Sequence, residues 1–457
     1  MLTYMLRSDI KLPLYEQLYN CIKNDIISGE IKPGDKLPSK RVLAGQLKIS
    51  VITVETAYYQ LASEGYIYSK ARSGYFVNTI GQEGASIQTD TTLIPIKENI
   101  TRSDYKYDFG TDSSDTENFP FSVWISIMRR VLHDSSKELL NKCELKGLYA
   151  LRSEIAAFLK AYRNISCDPG DIVVGAGSEY LLNIIIQLLK NKRYAVENPG
   201  YHKIAKILNS YNAETDFIPL DNQGVCMKPL IYSGAKVLHV SPSHQFPTGI
   251  TTPIKRRYEL LQWAADSNGY IIEDDYDSEF SYSGKPVPAL KSLDMGGRVI
   301  YMNTFTKSLA PSLRISYMVL PPELSQRFDR ELKFYSNTVS CFEQYTLARF
   351  MSEGYFERHL NRMRNIYKGR ISAIKNTLNS MDEKIVLKGQ DMGLHVVLEV
   401  NEDSEKLAKR AEERGVFVRD INRYYVENTH NTPALVLGYT GISKEDIPKG
   451  LKKIFEN

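Results

Sequence analysis

Residues 79 to 104, TIGQEGASIQTDTTLIPIKENITRSD, interrupt this chain: they are rich in Thr, Ser, Gln and Gly and carry neither helical nor strand periodicity. A structureless stretch of that length is out of place inside a compact domain and marks a boundary. As a random-coil linker it reaches about 25–30 Å. It separates a unit of 78 residues from one of 353 in a chain of 457. The larger part exceeds one ordinary core, so two or three domains are expected in all.

The composition is that of a folded protein, 42% hydrophobic and 25% charged, with a mean hydropathy of −0.32, which excludes a mostly disordered chain. Tyrosine is unusually common, at 30 residues. No run approaches the roughly 18 apolar residues of a membrane helix. The start, MLTYMLRSDIKLPLY, has no apolar region before a small-residue cleavage site, so no secretory signal is expected. Cys21, Cys143, Cys167, Cys226 and Cys341 lie far apart without a CxxC pair. That disfavours a disulfide framework or a metal site and fits a cytoplasmic location.

Residues 1–78 read as a small separate domain. Leu14, Leu18, Ile22 and Ile26 recur every four residues between Pro13 and a stop at Gly29, which predicts an amphipathic helix. Ser39 is placed to cap a short helix, KRVLAGQL, with Val42, Leu43 and Leu47 as its apolar stripe. Ser50 is placed to cap a longer one that stops at Gly65. Two β-prone pieces follow, Tyr66–Tyr68 and Tyr75–Val77, around the turn SKARSG. Helix–turn–helix plus a two-stranded wing is a plan for reading DNA, with the Ser50-capped helix in the major groove. Ser50 and Thr53 then reach phosphates or base edges. Ser39, Lys40 and Arg41 open the preceding helix toward phosphate, and Lys70, Arg72 and Gly74 form the wing turn. The whole chain carries 58 basic and 54 acidic residues, a net +4. Its first 78 residues hold ten Lys or Arg against seven Asp or Glu, so +3 of that lies in this domain.

Beyond the linker, short apolar runs (IVVGAG, YAVEN, VLHVSP, YIIEDD, VIYMNTF, SYMVL) alternate with amphipathic stretches such as YLLNIIIQLLK. That alternation predicts an α/β fold with a mostly parallel sheet over 105–325. A long helical region and a smaller α+β piece, over 326–457, close the chain. Within this part Lys307 follows an apolar strand in YMNTFTKSLAPSLRIS and precedes Arg314 by seven residues. A lone lysine of that kind is usually a surface residue, but this one keeps telling company. A Schiff-base lysine near a hydroxyl and an arginine is what pyridoxal phosphate requires. GAGSEYLL places Gly175, Gly177 and Ser178 between a strand and a helix start, a ready seat for phosphate. YIIEDDYDSEF puts acids at a strand end, where one can hold a pyridine nitrogen. NPGYHK offers Tyr201 as an aromatic to stack on a ring.

The LPS–R–LA, S–TV–AY–L–EGY and SGYFV elements of the first domain resemble the GntR-type winged helix throughout, except that Val51 stands where that family usually has Arg. Residues 105–457 resemble fold type I aminotransferases. That resemblance implies Lys307 as the lysine that forms the internal aldimine, Asp274 at the pyridine nitrogen, and Tyr276 at the phenolic oxygen. It implies Ser178, the Glu179 amide, Thr304 and Arg314 at the phosphate, and Tyr201 on the ring. Phe246-Pro247-Thr248-Gly249 stands where aminotransferases have Asn-Pro-x-Gly, which removes a donor from the phenolic oxygen. The late strand PALVLGYTG lacks the usual carboxylate-binding Arg, and Arg423 is the nearest substitute, ahead of Arg419.

The order winged helix, linker, aminotransferase-like domain resembles the MocR (GabR-like) transcriptional regulators over the whole chain. That resemblance implies a homodimer, head-to-tail, binding operator double-stranded DNA and responding to pyridoxal phosphate or a small amino compound. It implies a sensor rather than an enzyme, the alternative being an active aminotransferase with an accessory DNA-binding domain. In the related γ-aminobutyrate-responsive regulator a Tyr-His-Arg stretch helps hold the effector; the matching Tyr201-His202-Lys203 makes Lys203 an effector-binding candidate without the bidentate fork.

Overall fold

The computed structural model describes residues 4–7, 12–79, 105–282, 288–381, 385–426 and 432–456. Apart from Thr79, the expected linker lies outside the described residues. The chain forms two compact units, Met1–Lys97 and Glu98–Asn457.

In the first unit, helix Leu14–Ser28 ends at Gly29, whose φ of 82° suits a residue without Cβ. Ser39 accepts the Val42 N–H to open Lys40–Leu47, and Ser50 accepts the Thr53 N–H to open Val51–Ser63. Each cap contributes about 1 kcal/mol. Leu18, Ile22, Leu43, Val54, Tyr58, Leu61 and Ile67 are fully buried between the three helices and the wing. The wing strands, Ile67–Lys70 and Gly74–Val77, pair antiparallel with Lys70 opposite Gly74. They are displaced by one or two residues from the β-prone pieces because Gly74 joins the ladder and Ala71 to Ser73 make the turn. Val42 is not part of the apolar stripe. It is 52% exposed and Ala44 takes the buried place beside Leu43, one helical turn geometry rather than composition deciding the face.

The second unit is built on an eight-stranded sheet. Its order is Ile172–Gly175, Ser316–Val319, Val299–Thr304, Tyr270–Asp274, Val237–Val240, Tyr194–Asn198, Thr215–Asp221 and Gly224–Val225. The five strands from Val299–Thr304 to Thr215–Asp221 are mutually parallel, and Ser316–Val319 runs antiparallel to both neighbours. Continuous apolar runs form these strands because both sheet faces are covered by helices such as Ser178–Leu188 and Ile254–Asp266. Helices Pro322–Glu331, Cys341–Ser352 and Tyr355–Asn379 follow. A four-stranded antiparallel sheet then forms, in the order Val386–Lys388, His395–Glu399, Ala434–Gly438, Arg419–Asp420. The first described strand of this unit, Tyr107–Asp108, pairs with Val416–Phe417 of this late piece. No helix among the described residues is long and apolar enough to cross a membrane.

A buried ion pair ties the large sheet to its helices. Arg163, on helix Tyr149–Arg163, meets Asp275 at 2.8 Å with both side chains almost fully enclosed. Burial pushes the Asp275 carboxyl up, but Arg163 and the Tyr301 hydroxyl outweigh it and hold it below the ordinary carboxylate range. Removing one partner of such a pair strands a charge in the core. Arg163→Met is therefore expected to destabilise this unit by about 3–5 kcal/mol, read as a lowered denaturant midpoint.

Candidate functional site

The parallel strands end on a common edge, and a cavity of about 290 Å³ opens there. Strand Val299–Thr304 delivers Lys307 to it on the short helix Phe305–Ser308, which Thr304 caps by accepting the Thr306 N–H. The half-buried Lys307 Nζ donates to the Thr111 carbonyl at 2.8 Å. Strand Tyr270–Asp274 delivers Asp274. The pleat turns the next residue, Asp275, away toward Arg163, so the two adjacent acids serve different ends. A His239 ring nitrogen lies 3.6 Å from Asp274 Oδ2.

Ser178 opens helix Ser178–Leu188 directly after Gly177, whose φ is 96°. A Cβ at Gly177 would come within 2.3 Å of Arg314 Nη2 and 2.7 Å of Glu179 Oε2, so glycine keeps this cradle open. Arg314, itself at φ 51°, bonds Glu179 at 2.6 Å, and Lys203 bonds the other Glu179 oxygen. Burial opposes the Glu179 charge, yet hydrogen bonds from Lys203, its own backbone N–H and Arg314 hold its pKa down at about 2. The helix start thus already sits among cations and N–H donors arranged for an anion.

Tyr201 is half exposed and meets Phe246 edge-on at 5.9 Å. The Tyr276 hydroxyl donates to the His244 carbonyl at 3.1 Å, and burial keeps it a neutral phenol. Phe246 lines the cavity without offering a donor. Lys203 reaches the cavity through its contact with Glu179, whereas Arg423 is exposed and does not line it. The carboxylate clamp expected at Arg423 is thus not brought to the cavity in this chain. Arg419, the other candidate, lies over the Phe417 ring at 4.8 Å.

Sequence reasoning passed over Thr111 to Asp115, His359, His395 and Thr440, all of which line the cavity. His359 holds the Ser308 carbonyl at 2.9 Å beside Lys307. The polar run GTDSSD was the available signal, but its lysine partner lies 196 positions away.

In the first unit Arg41, Ser50, Lys70, Arg72 and Gly74 are exposed, as is Ser39, while Thr53 is half-buried. Lys40 does not stand free for phosphate: its Nζ bonds Glu55 at 2.6 Å and lies over the Tyr75 ring. Ser50 Oγ and Thr53 Oγ1 bond each other at 2.8 Å.

A winged helix joined to a cavity domain of aminotransferase type defines a DNA-binding regulator built on an enzyme scaffold. Residues 14–77 match the model of bacterial regulatory proteins of the gntR family, and residues 106–454 match aminotransferase class I and II. A protein named "Uncharacterized HTH-type transcriptional regulator YdeL" from Bacillus subtilis is 39% identical over 99% of this chain and 98% of its own. A protein named "Probable rhizopine catabolism regulatory protein MocR" from Rhizobium meliloti is 31% identical over 98% and 94%. Among solved structures, the kynurenine aminotransferase of Pyrococcus horikoshii superposes with a TM-score of 0.69 at 27% identity, covering 77% of this chain and 90% of that one. The chain belongs to the MocR-type transcriptional regulators, in which a GntR winged helix precedes an aminotransferase class I and II domain.

This family implies pyridoxal phosphate, and the donor set fits it. An amine, a carboxylate at a strand end and an anion cradle that a Cβ would fill share one cavity.

Glu197, buried and accepting the N–H of the cavity-lining Ser241 at 3.2 Å, has its pKa raised to about 8, first by burial and further by the Asp274 charge. An acid raised in the folded state contributes its full share to stability below its ordinary pKa of 4.5 and loses it as pH climbs through about 8. Glu197→Gln is expected to stabilise the protein more at about pH 9 than at about pH 5; thermal midpoints of both proteins at the two pH values check this.

Proposed function

We propose that this chain is a sensor that binds pyridoxal phosphate together with a small amino compound and adjusts its hold on operator DNA accordingly. The observation that carries this is the meeting of Lys307, Asp274 and the Gly177–Ser178 helix start in one cavity of a chain that also holds a winged helix. When bound, pyridoxal phosphate supplies an aldehyde that exchanges between amines and a ring that draws off electrons.

Lys307 is the attachment amine, and Asp274 keeps the pyridine nitrogen protonated. Tyr276, kept as a phenol by burial, would turn its one O–H from the His244 carbonyl to the phenolic oxygen. Ser178, the Glu179 amide, Thr304 and Arg314 take the phosphate, and Tyr201 covers the ring. Lys203 faces the effector's negative end as a point charge, which suits a different ligand from one needing a bidentate arginine. Phe246 gives no hydrogen bond where an aminotransferase has an asparagine donor, and this supports sensing over turnover.

The domain division follows the same reading: a DNA reader over 1–78, a linker over 79–104, a cofactor domain over 105–325 and a closing piece over 326–457. The protein works as a head-to-tail homodimer in the cytoplasm, and two readers per dimer make up for the modest +3 of each.

Lys307→Ala is expected to purify without the yellow colour of bound pyridoxal phosphate and to show the same operator affinity with and without added cofactor, where the wild type shifts. An unchanged response in the variant overturns the sensing role of Lys307. Rapid turnover of several amino acids with a keto acid favours an active aminotransferase instead.

A further inference from the structure

The helix Val51–Ser63 turns Val54, Ala57, Tyr58 and Leu61 into the core of its unit. Its opposite face is unusual for a surface in water. Ile52 is 73% exposed and Val51 42%, side by side in the first turn. Single exposed apolar residues are ordinary. Here, however, the neighbouring polar groups are already engaged. Ser50 Oγ accepts the Thr53 N–H and shares a hydrogen bond with Thr53 Oγ1. Thr56 Oγ1 donates back to the Ile52 carbonyl at 2.9 Å. Glu55, the one acid in this stretch, is held by Lys40 at 2.6 Å, which offsets its repulsion toward phosphates. The largest side chains that the first turn presents outward are therefore aliphatic.

The occupant of this face is a DNA duplex, because Arg41, Lys48, Lys70 and Arg72 are exposed on the same small unit and supply charge complementary to phosphate. The first turn of such a helix is the part that meets base edges in the major groove. Among those edges, donors and acceptors offer nothing to an isoleucine or a valine. The apolar group displayed there is the C5 methyl of thymine.

We propose that Val51 and Ile52 read thymine by packing against its 5-methyl group, so that the operator half-site carries thymine where this helix enters the groove. This rests on the DNA-binding reading of the winged helix and adds the base that it selects. Specificity at this position comes from burying a methyl group, not from a bidentate hydrogen bond to guanine. It is accordingly modest per base and insensitive to salt, unlike the phosphate contacts.

The test uses the full-length protein and duplexes selected by it from a random pool. Selected half-sites are expected to share at least one fixed thymine, and replacing it with deoxyuridine, which removes only the methyl, is expected to weaken binding about three- to ten-fold. Ile52→Ala, at an exposed position outside the core, is expected to bind the thymine and deoxyuridine duplexes equally. Tight binding to selected duplexes that ignores deoxyuridine at every thymine, or that keeps its full preference in both Ile52→Ala and Val51→Ala, overturns the proposal while leaving DNA binding intact. Failure to select any duplex overturns the DNA-binding reading itself.

Discussion

The Arg163–Asp275 pair decides which way the end of the central strand faces. Two acids follow Ile272 and Glu273 in sequence, and a pleated backbone must send them to opposite sides. Arg163 captures Asp275 in the core at 2.8 Å, so Asp274 is left facing the cavity. Tyr301 donates to the same Asp275 at 2.7 Å from the adjoining strand, and that strand carries Thr304 and then Lys307. One enclosed ion pair thereby fixes the spacing between the carboxylate and the amine on which the cavity's chemistry depends. Its value is geometric, since a buried pair of this kind gains little net stability over a well-packed apolar substitute.

Much of this was legible because it is local. Ser39 and Ser50 announce their helices, since a cap needs only a hydroxyl and an N–H three residues on. Gly29 announces a stop for a similarly local reason. Lys307, Asp274 and Ser178 stand at strand ends or a helix start, and the order of apolar runs located those ends. What escaped is what only tertiary contact decides. Val42 and Ala44 are both small and apolar, and their register against the third helix selected Ala44. Lys40 was legible as a phosphate ligand until Glu55, 15 positions on, was brought beside it. Arg423 has the right chemistry for a clamp, but the backbone of Ile421–Tyr424 turns Tyr424, not the arginine, toward Phe246.

Charge within the cavity follows a simple plan. Glu179 stays ionised between the half-exposed cations Lys203 and Arg314. A dianionic phosphate arriving at the helix start meets cations whose present partner is a single carboxylate. The two cations share one counter-charge, so a change at either bears on the other through Glu179.

The strand Tyr107–Asp108 carries a mechanical consequence. Its neighbours tie it to the late piece of the chain, through Phe109 N–H to the Phe417 carbonyl at 2.9 Å and Gly438 N–H to the Phe109 carbonyl at 2.7 Å. Two residues further on, the Thr111 carbonyl receives the amine of Lys307. The segment that emerges from the linker is thus gripped by the closing piece at one end and by the cavity lysine at the other. Any change that takes up the lysine's amine removes that second hold.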